Sequence, residues 1–530
     1  MKNFHVEKLP SDFQAVITEN NGLTQYLTNL QRGRDFTPRS WLFESENPTK
    51  VLNRWKQVLN SLKDGNAFEK EVFHFDISSE EKWGPQGGIA PIKELMNDVV
   101  LPTFQGDTEG FTSFRGFQAS DWKTAKRYVK AQLTGQDGAS GLRPASYPRV
   151  IDDMRARDTL ESNSGWPMFT RRNKPEVRAR AIADAENGSW STQPAIALFR
   201  NYRQKTRMVW MFPMAANLVE GSFTQPLQSR IINSGDTFYS PWVGFEAVRK
   251  LITEMYANGK VIAASDFSST DAHFQYEATR QVFDVIKYCF QKKYCTTLEQ
   301  SLKYMNFINL VISRSEWIVG GHGVSSGSNW TNFIETVFDE IFGHYVSQQT
   351  KYHPFYAIGD DMAWWCSEAD YDEGFNQQLE KLGKTIGQVI KAEKTTNDRD
   401  KVKSLQRLFQ RGYKRPDGLI RGVYPTIRAL NSLIYPERFH NPKDWSSDMF
   451  CARVYMILEN CVDHPLFEEF VKFVVKGQKD LIPFAKQSDR RLNQIQRKSK
   501  LLPGLNPTYN AEKRDSSLAS FASIAIAKTC

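Results

Sequence analysis

The chain has 530 residues, 40% of them hydrophobic and 13% aromatic, which excludes a largely disordered protein. Lys and Arg number 69 against 60 Asp and Glu, and the resulting charge of +9 suits a polyanionic partner. Six cysteines without a C-x-x-C pair exclude a zinc ribbon and fit a reduced, intracellular setting. Residues 1 to about 100 read as mixed and mostly helical, with helical spacing of apolar residues from Trp55 to Leu62. Trp83 to Gly88 is an irregular Gly/Pro-punctuated loop. Residues 160–235, rich in Arg, Pro and Asn, read as loops with short strands. Lys260 to Ala264 reads as a buried strand ending at Asp266, and residues 276–295 as helix. Residues 331–345 make the cleanest helix, with Phe333, Ile334, Val337, Phe338, Ile341, Phe342 and Tyr345 on one face. Phe355–Ile358 and Met362–Trp365 flank Gly359-Asp360-Asp361 as a hairpin with acids at its tip. From 400 onward, basic and apolar residues alternate in a helical manner. Residues 515–530 read as a loosely held tail, long enough to reach a product channel and regulate initiation. No run of about 18 apolar residues occurs, so no membrane span is expected. Met1 to Pro10 lacks the apolar core of a signal peptide.

The chemistry lies in the carboxylates. Asp266, Asp360 and Asp361 sit at the edge of apolar strands, where uncompensated acids are costly. Two magnesium ions would balance them, activate a hydroxyl and stabilise a leaving oxygen. The plainer reading of Gly359-Asp360-Asp361 is a polar turn. Upstream, Arg200, Arg203, Lys205 and Arg207 form a basic cluster. The spacing of 203, 205 and 207 sets three cations on one face of an extended strand, able to grip a triphosphate. The alternative is a solvated basic edge strand.

Order decides between these readings. Asp266 and Asp271 are followed by Ser325-Ser326-Gly327-Ser328-Asn329-Trp330-Thr331, then Gly359-Asp360-Asp361, then Glu393-Lys394. This series resembles motifs A to D of the palm of viral RNA-dependent RNA polymerases. The wider wording, Ile358-Gly359-Asp360-Asp361 and Gly323-Val324-Ser325-Ser326-Gly327-Ser328, is most similar to double-stranded RNA virus enzymes, picobirnavirus first and partitivirus next. The resemblance is specific over residues 160–415 and weak at both ends.

The resemblance implies roles. Asp266 and Asp360 would bind both metal ions, magnesium or manganese, with Asp361 a weaker ligand. Asp271 would sense the ribose 2′-hydroxyl of the incoming nucleotide. Ser326, Gly327, Asn329 and Thr331 would sit beside template and sugar, with helix capping as the alternative for Asn329. Lys394, with Lys391 as rival, would protonate pyrophosphate. The basic cluster resembles motif F. Ser164, Gly165 and Pro167 lie in a stretch resembling motif G beside the template path, and Phe409 to Tyr413 loosely resembles motif E. One departure stands out. Many family members have Asn four positions after the motif B threonine, where this chain has Glu335. His322 reads as a hydrogen-bonded bystander, and Trp364 and Trp365 as palm packing.

The implied fold is α+β, a closed right hand with an antiparallel palm sheet flanked by helices. Its expected divisions are 1–100 (bridging fingers and thumb), 101–260 (fingers), 261–281 (palm, motif A), 282–320 (fingers insertion), 321–400 (palm, motifs B to D), 401–514 (thumb) and 515–530 (tail). The implied function is RNA-directed RNA synthesis from nucleoside triphosphates for viral replication and transcription. RNA, triphosphates and a viral capsid protein are its partners, without membrane, in the virion interior and host cytoplasm. A reverse transcriptase, a non-catalytic RNA-packaging protein and a two-metal nuclease remain as rival readings.

Overall fold

Val261, Ile262, Ala263 and Ala264 are all buried, because their strand is covered on both faces. The computed structural model describes residues 4–106, 114–135, 141–438, 441, 443–502, 505 and 516–530. The central sheet runs Thr396–Asp398, Lys260–Ser268, Asp361–Ser367, His353–Ile358, with Val389–Ile390 pairing the far end of the second strand. All its pairings are antiparallel. Successive side chains point to opposite faces. Val261, Ala263 and Trp364 therefore join the core that holds the helix Trp330–Ser347. Ile262, Ala264 and Ala363 join a second core with Val248 and Ile252 of the helix Phe245–Ala257 and Val402 and Phe409 of a small hairpin. Burial on both faces is why the strand reads as an unbroken apolar run.

A second, five-stranded sheet has the order Phe4–Lys8, Glu316–Gly320, Leu310–Val311, Ala195–Tyr202, Lys205–Met211. The helices Pro48–Leu59 and Ala67–Ile77 follow in the helical N-terminal part. They share a third core with Thr426–Ile434, Ser447–Glu459, Phe467–Val475 and Asp489–Ser499. The Trp83–Gly88 loop then ties this helical lobe to the second sheet. The Gly84 amide donates to Asn431 Oδ1 (2.8 Å) and Gln86 Nε2 to the Tyr435 carbonyl (3.1 Å). On the other side Gln86 Oε1 accepts from the Arg203 amide (2.6 Å), and Asn201 donates to the Gly88 carbonyl (2.5 Å). The result is a closed right hand of the α+β class, with an antiparallel palm sheet flanked by helices.

Several expectations need correction. Residues 160–235 are not mainly loops, since they hold the helices Pro175–Asn187 and Met214–Asn233. The second is buried continuously from Met214 to Thr224, so it shows no amphipathic stripe. The helix at 276–295 stops at Ile286 and resumes at Cys295, because Phe290 is extended and bridges Leu142. The helix Trp330–Ser347 buries Glu335, Thr336, Asp339 and Glu340 as well as its apolar face. After 400 the chain forms a hairpin, Lys401–Ser404 with Arg407–Gln410, before its next helix at Thr426.

The tail is docked, not loose. Leu518, Phe521, Ile524 and Ala527 are buried in the helical lobe. Glu459 accepts hydrogen bonds from the amides of Ala522 and Ser523, both at 3.0 Å. Residue 515 lies outside the described residues.

Candidate active site

The palm hairpin is as tight as antiparallel strands allow. Ile358 pairs with Asp361, leaving Gly359 and Asp360 as the two-residue turn, and Gly359 takes a φ of +57°. The Gly359 amide donates to Thr336 Oγ1 (2.9 Å) on the helix beneath. On the other side of its strand, Asp361 pairs with Asp266. Asp360 accepts from Thr270 Oγ1 (3.1 Å), and its carbonyl accepts from the Phe267 amide (3.4 Å).

These acids crowd one another. Burial raises the Asp266 carboxyl, the Asp360 charge raises it further, and Lys394 opposes both. Burial and then Asp360 push Asp271 up to about 6, against Arg207 and Lys205. Burial raises Asp360 itself, with Thr270 pulling the other way. From the helix below, Glu335 and Asp339 stand well above the usual carboxylate range, through burial first and Asp360 second. Among the described residues neither carboxyl oxygen of Asp339 has a hydrogen-bond partner.

This donor set fits divalent cations. Hard oxygens crowd together, and the cations facing them lie on other elements. Among the described residues no three His, Cys, Asp or Glu form a ready-made cage. Magnesium is usually held by one or two carboxylates, with water and substrate phosphate completing its shell. Asp266 and Asp360 could hold it, with Asp361 alongside.

The Ser325–Thr331 loop lies flush against its neighbours. A Cβ on Gly327 would fall 1.7 Å from the Trp210 carbonyl, and one on Gly323 would fall 1.8 Å from the Asp271 carbonyl. Thr331 Oγ1 donates to the Ser325 carbonyl (2.7 Å), closing the loop at the helix start. Ser326 is exposed, and its hydroxyl accepts from the Trp210 amide (3.4 Å). Asn329 does not cap the helix with its side chain, which donates to the Asn217 carbonyl (3.0 Å). Ser328 Oγ accepts from the Trp330 amide instead (3.0 Å).

The basic cluster is a hairpin, not one strand. Tyr202 pairs with Lys205, and Arg203 and Gln204 form the turn with φ of 50° and 64°. Lys205 and Arg207 share a face and are exposed, whereas Arg203 leaves the row and faces Arg428. Arg200, opposite Arg207 in the ladder, is tied to Glu437 of the helical lobe (2.7 Å). Lys394 is exposed and close enough to influence both Asp266 and Lys205.

In the Asn163–Pro167 turn Ser164 is buried, and its hydroxyl accepts from the Thr170 amide (3.3 Å). Gly165 has a φ of +65°, and its missing Cβ would meet the Phe212 carbonyl at 2.5 Å. Pro167 follows a cis peptide bond, and its carbonyl accepts from Asn20 (3.4 Å). His322 is buried between Trp210 and Phe104, its ring nitrogens on the Gly323 and Ile308 carbonyls (both 2.9 Å). Trp364 packs in the palm and donates to Ser265 (2.9 Å).

Sequence reasoning missed Thr270, Thr336, Asp339, Glu220 and Glu437. Asp339 carried a signal, since it stands four residues after Glu335 on the helix Trp330–Ser347.

A sheet of this topology, with acids at its hairpin tip and cations from a facing hairpin, defines a right-hand nucleic-acid polymerase. Residues 202–438 match the family described as viral RNA-dependent RNA polymerase. The chain is 27% identical over 489 residues to a potential RNA-dependent RNA polymerase of human picobirnavirus, covering 87% of this chain and 86% of that one. It is 24% identical over 310 residues to an RNA-directed RNA polymerase of Cryptosporidium parvum virus 1, covering 54% and 56%. The fold matches the crystal structure of a human picobirnavirus RNA-dependent RNA polymerase with a TM-score of 0.81, at 23% identity, over 99% of this chain and 100% of that one. The match over residues 202–438 and the two relatives together identify the chain as an RNA-directed RNA polymerase.

Proposed function

We propose that this enzyme extends an RNA 3′-hydroxyl on an RNA template by two-metal nucleotidyl transfer, for viral genome replication and transcription. The observation that carries this reading is the mutual crowding of Asp266 and Asp360, with cations facing them from Lys205, Arg207 and Lys394.

Two divalent ions, magnesium or manganese, held by Asp266 and Asp360, supply charge neutralisation and Lewis acidity when bound. The chain's own groups do the rest. Lys205 and Arg207 grip the triphosphate and stabilise charge on the departing pyrophosphate. The 3′-oxygen forms its bond to the α-phosphorus as the bond to the bridging oxygen of pyrophosphate breaks. The 3′-hydroxyl proton goes to solvent, and the Lys394 ammonium donates a proton to pyrophosphate. Asp271 accepts from the ribose 2′-hydroxyl, and Ser326, Gly327 and Thr331 line the sugar and template. Most of the catalysis is positioning and electrostatics.

In the same reading the Asn163–Pro167 turn flanks the template path. The enzyme works with a capsid protein in the virion interior and host cytoplasm. Among the described residues no helix is long and apolar enough to cross a membrane. The test is incorporation of labelled ribonucleotides against deoxyribonucleotides on a single-stranded RNA template with magnesium or manganese. Ribonucleotide-dependent, template-length product supports the reading. Deoxyribonucleotide preference, or RNA degradation without triphosphates, overturns it.

A further inference from the structure

Glu220 is 1% exposed in the middle of the buried helix Met214–Asn233, where an apolar side chain would pack at lower cost. Two of its hydrogen bonds go to one loop, and a third comes from Asn217 on its own helix, which also holds that loop. Glu220 Oε1 accepts from the Asn329 amide (3.1 Å) and from Asn217 Nδ2 (2.9 Å), and Oε2 accepts from the Ser328 hydroxyl. Asn217, also 1% exposed, donates to the Gly327 carbonyl (3.2 Å), and its own carbonyl accepts from the Asn329 side chain (3.0 Å). The chain of bonds continues outward. Arg172 Nη2 donates to Asn217 Oδ1 (2.8 Å), and Arg172 Nε donates to the Asn163 carbonyl (3.1 Å).

We propose that Glu220 is a positioning residue of the polymerase, clamping the Gly327–Asn329 loop to the fingers helix and, through Asn217 and Arg172, to the turn beginning at Asn163. The inference rests on the polymerase reading of that loop. A fully satisfied buried network fixes one geometry where an apolar contact tolerates several. Gly327 has no clearance from the Trp210 carbonyl, so a small shift of the loop is felt on its outer side, where Ser326 is exposed. Arg172 is the cation facing Glu220, and burial sets Glu220 up to about 7 despite these partners. The clamp rests on the geometry of these hydrogen bonds.

The experiment pairs steady-state nucleotide incorporation with amide hydrogen exchange on the full chain, for Glu220→Ala, Glu220→Gln and Arg172→Ala. Asp76→Asn in the helical lobe serves as a control of matched unfolding temperature. Glu220→Ala should raise the nucleotide KM about ten-fold with a smaller change in kcat. It should also speed exchange across 326–330 while leaving the strand Asp361–Ser367 unchanged. Glu220→Gln should restore both, because its amide keeps an acceptor for the Asn329 amide and offers a donor to the Ser328 hydroxyl. Arg172→Ala and Glu220→Ala should combine less than additively. Unchanged exchange at 326–330, or an equal KM rise in Asp76→Asn, overturns the proposal. The exchange arm decides even if wild type makes no RNA, an outcome that would count against the polymerase reading alone.

Discussion

Asp266 stands directly opposite Asp361 in the palm ladder, so two acids share one face of the sheet at its open end. Like charges opposite one another across strands are destabilising, by roughly 0.2–1 kcal/mol in exposed sheets. Asp266→Asn should therefore raise the unfolding temperature of the metal-free protein while eliminating synthesis. Magnesium should raise the unfolding temperature of wild type but not of the variant. Thermal melts with and without magnesium check this, and equal magnesium stabilisation of both would remove Asp266 from the metal site.

Gly323 and Gly327 are steric requirements. Gly327→Ala must move a backbone carbonyl, because its Cβ would meet Trp210 at 1.7 Å. Activity should fall by about a hundred-fold, as a displacement near 1 Å at a reacting site costs. The measurement is kcat/KM beside circular dichroism. An active, well-folded variant would mean the loop relaxes freely.

The cations of the hairpin turning at Arg203-Gln204 should separate by role. Lys205→Ala and Arg207→Ala should each raise the nucleotide KM about ten-fold, since both are exposed beside the acids. Arg200→Ala should change KM less and stability more, because Arg200 is committed to Glu437. Equal kinetic effects at all three positions would contradict this division.

Glu340 gives a pH prediction away from the metal ligands. Tyr239 donates to it at 2.5 Å, while burial and the Asp236 charge raise it to about 8. Between the ordinary glutamate value of 4.5 and about 8 the folded protein holds a proton that the unfolded chain releases. Stability should therefore fall as pH rises through this window, by at most about 1.4 kcal/mol per pH unit from this group. Denaturant titrations of wild type and Glu340→Gln check it. The variant should show a shallower slope, and an identical slope would refute the assignment.

The docked C-terminus makes a stability prediction in place of a regulatory one. Ile524→Ala should cost about 2–4 kcal/mol, as for other fully buried aliphatic side chains. An unchanged denaturation midpoint would contradict the docked tail.

The legible parts of this fold were those whose chemistry or periodicity is local. The strand into Asp266, the Gly359–Asp361 turn and the helix from Trp330 each announce themselves within a dozen residues. Other features were hidden for physical reasons. The hairpin turn at Arg203-Gln204 lacks the Asn-Gly chemistry that usually marks such turns, so alternating cations looked like one strand. The helix Met214–Asn233 is buried around its first three turns and contains Pro226, which erases both periodicity and propensity signals. The tail did carry a signal, the three-residue spacing of Leu518, Phe521, Ile524 and Ala527, which its small-residue composition masked. Contacts such as Arg200 with Glu437, 237 positions apart, have no local trace.

The most direct test of the account is labelled-nucleotide incorporation on a single-stranded RNA template with magnesium or manganese, for wild type beside Asp360→Ala. The account predicts template-length RNA from wild type, none from Asp360→Ala, and equal RNA binding by both. Equal synthesis by the two proteins would contradict it.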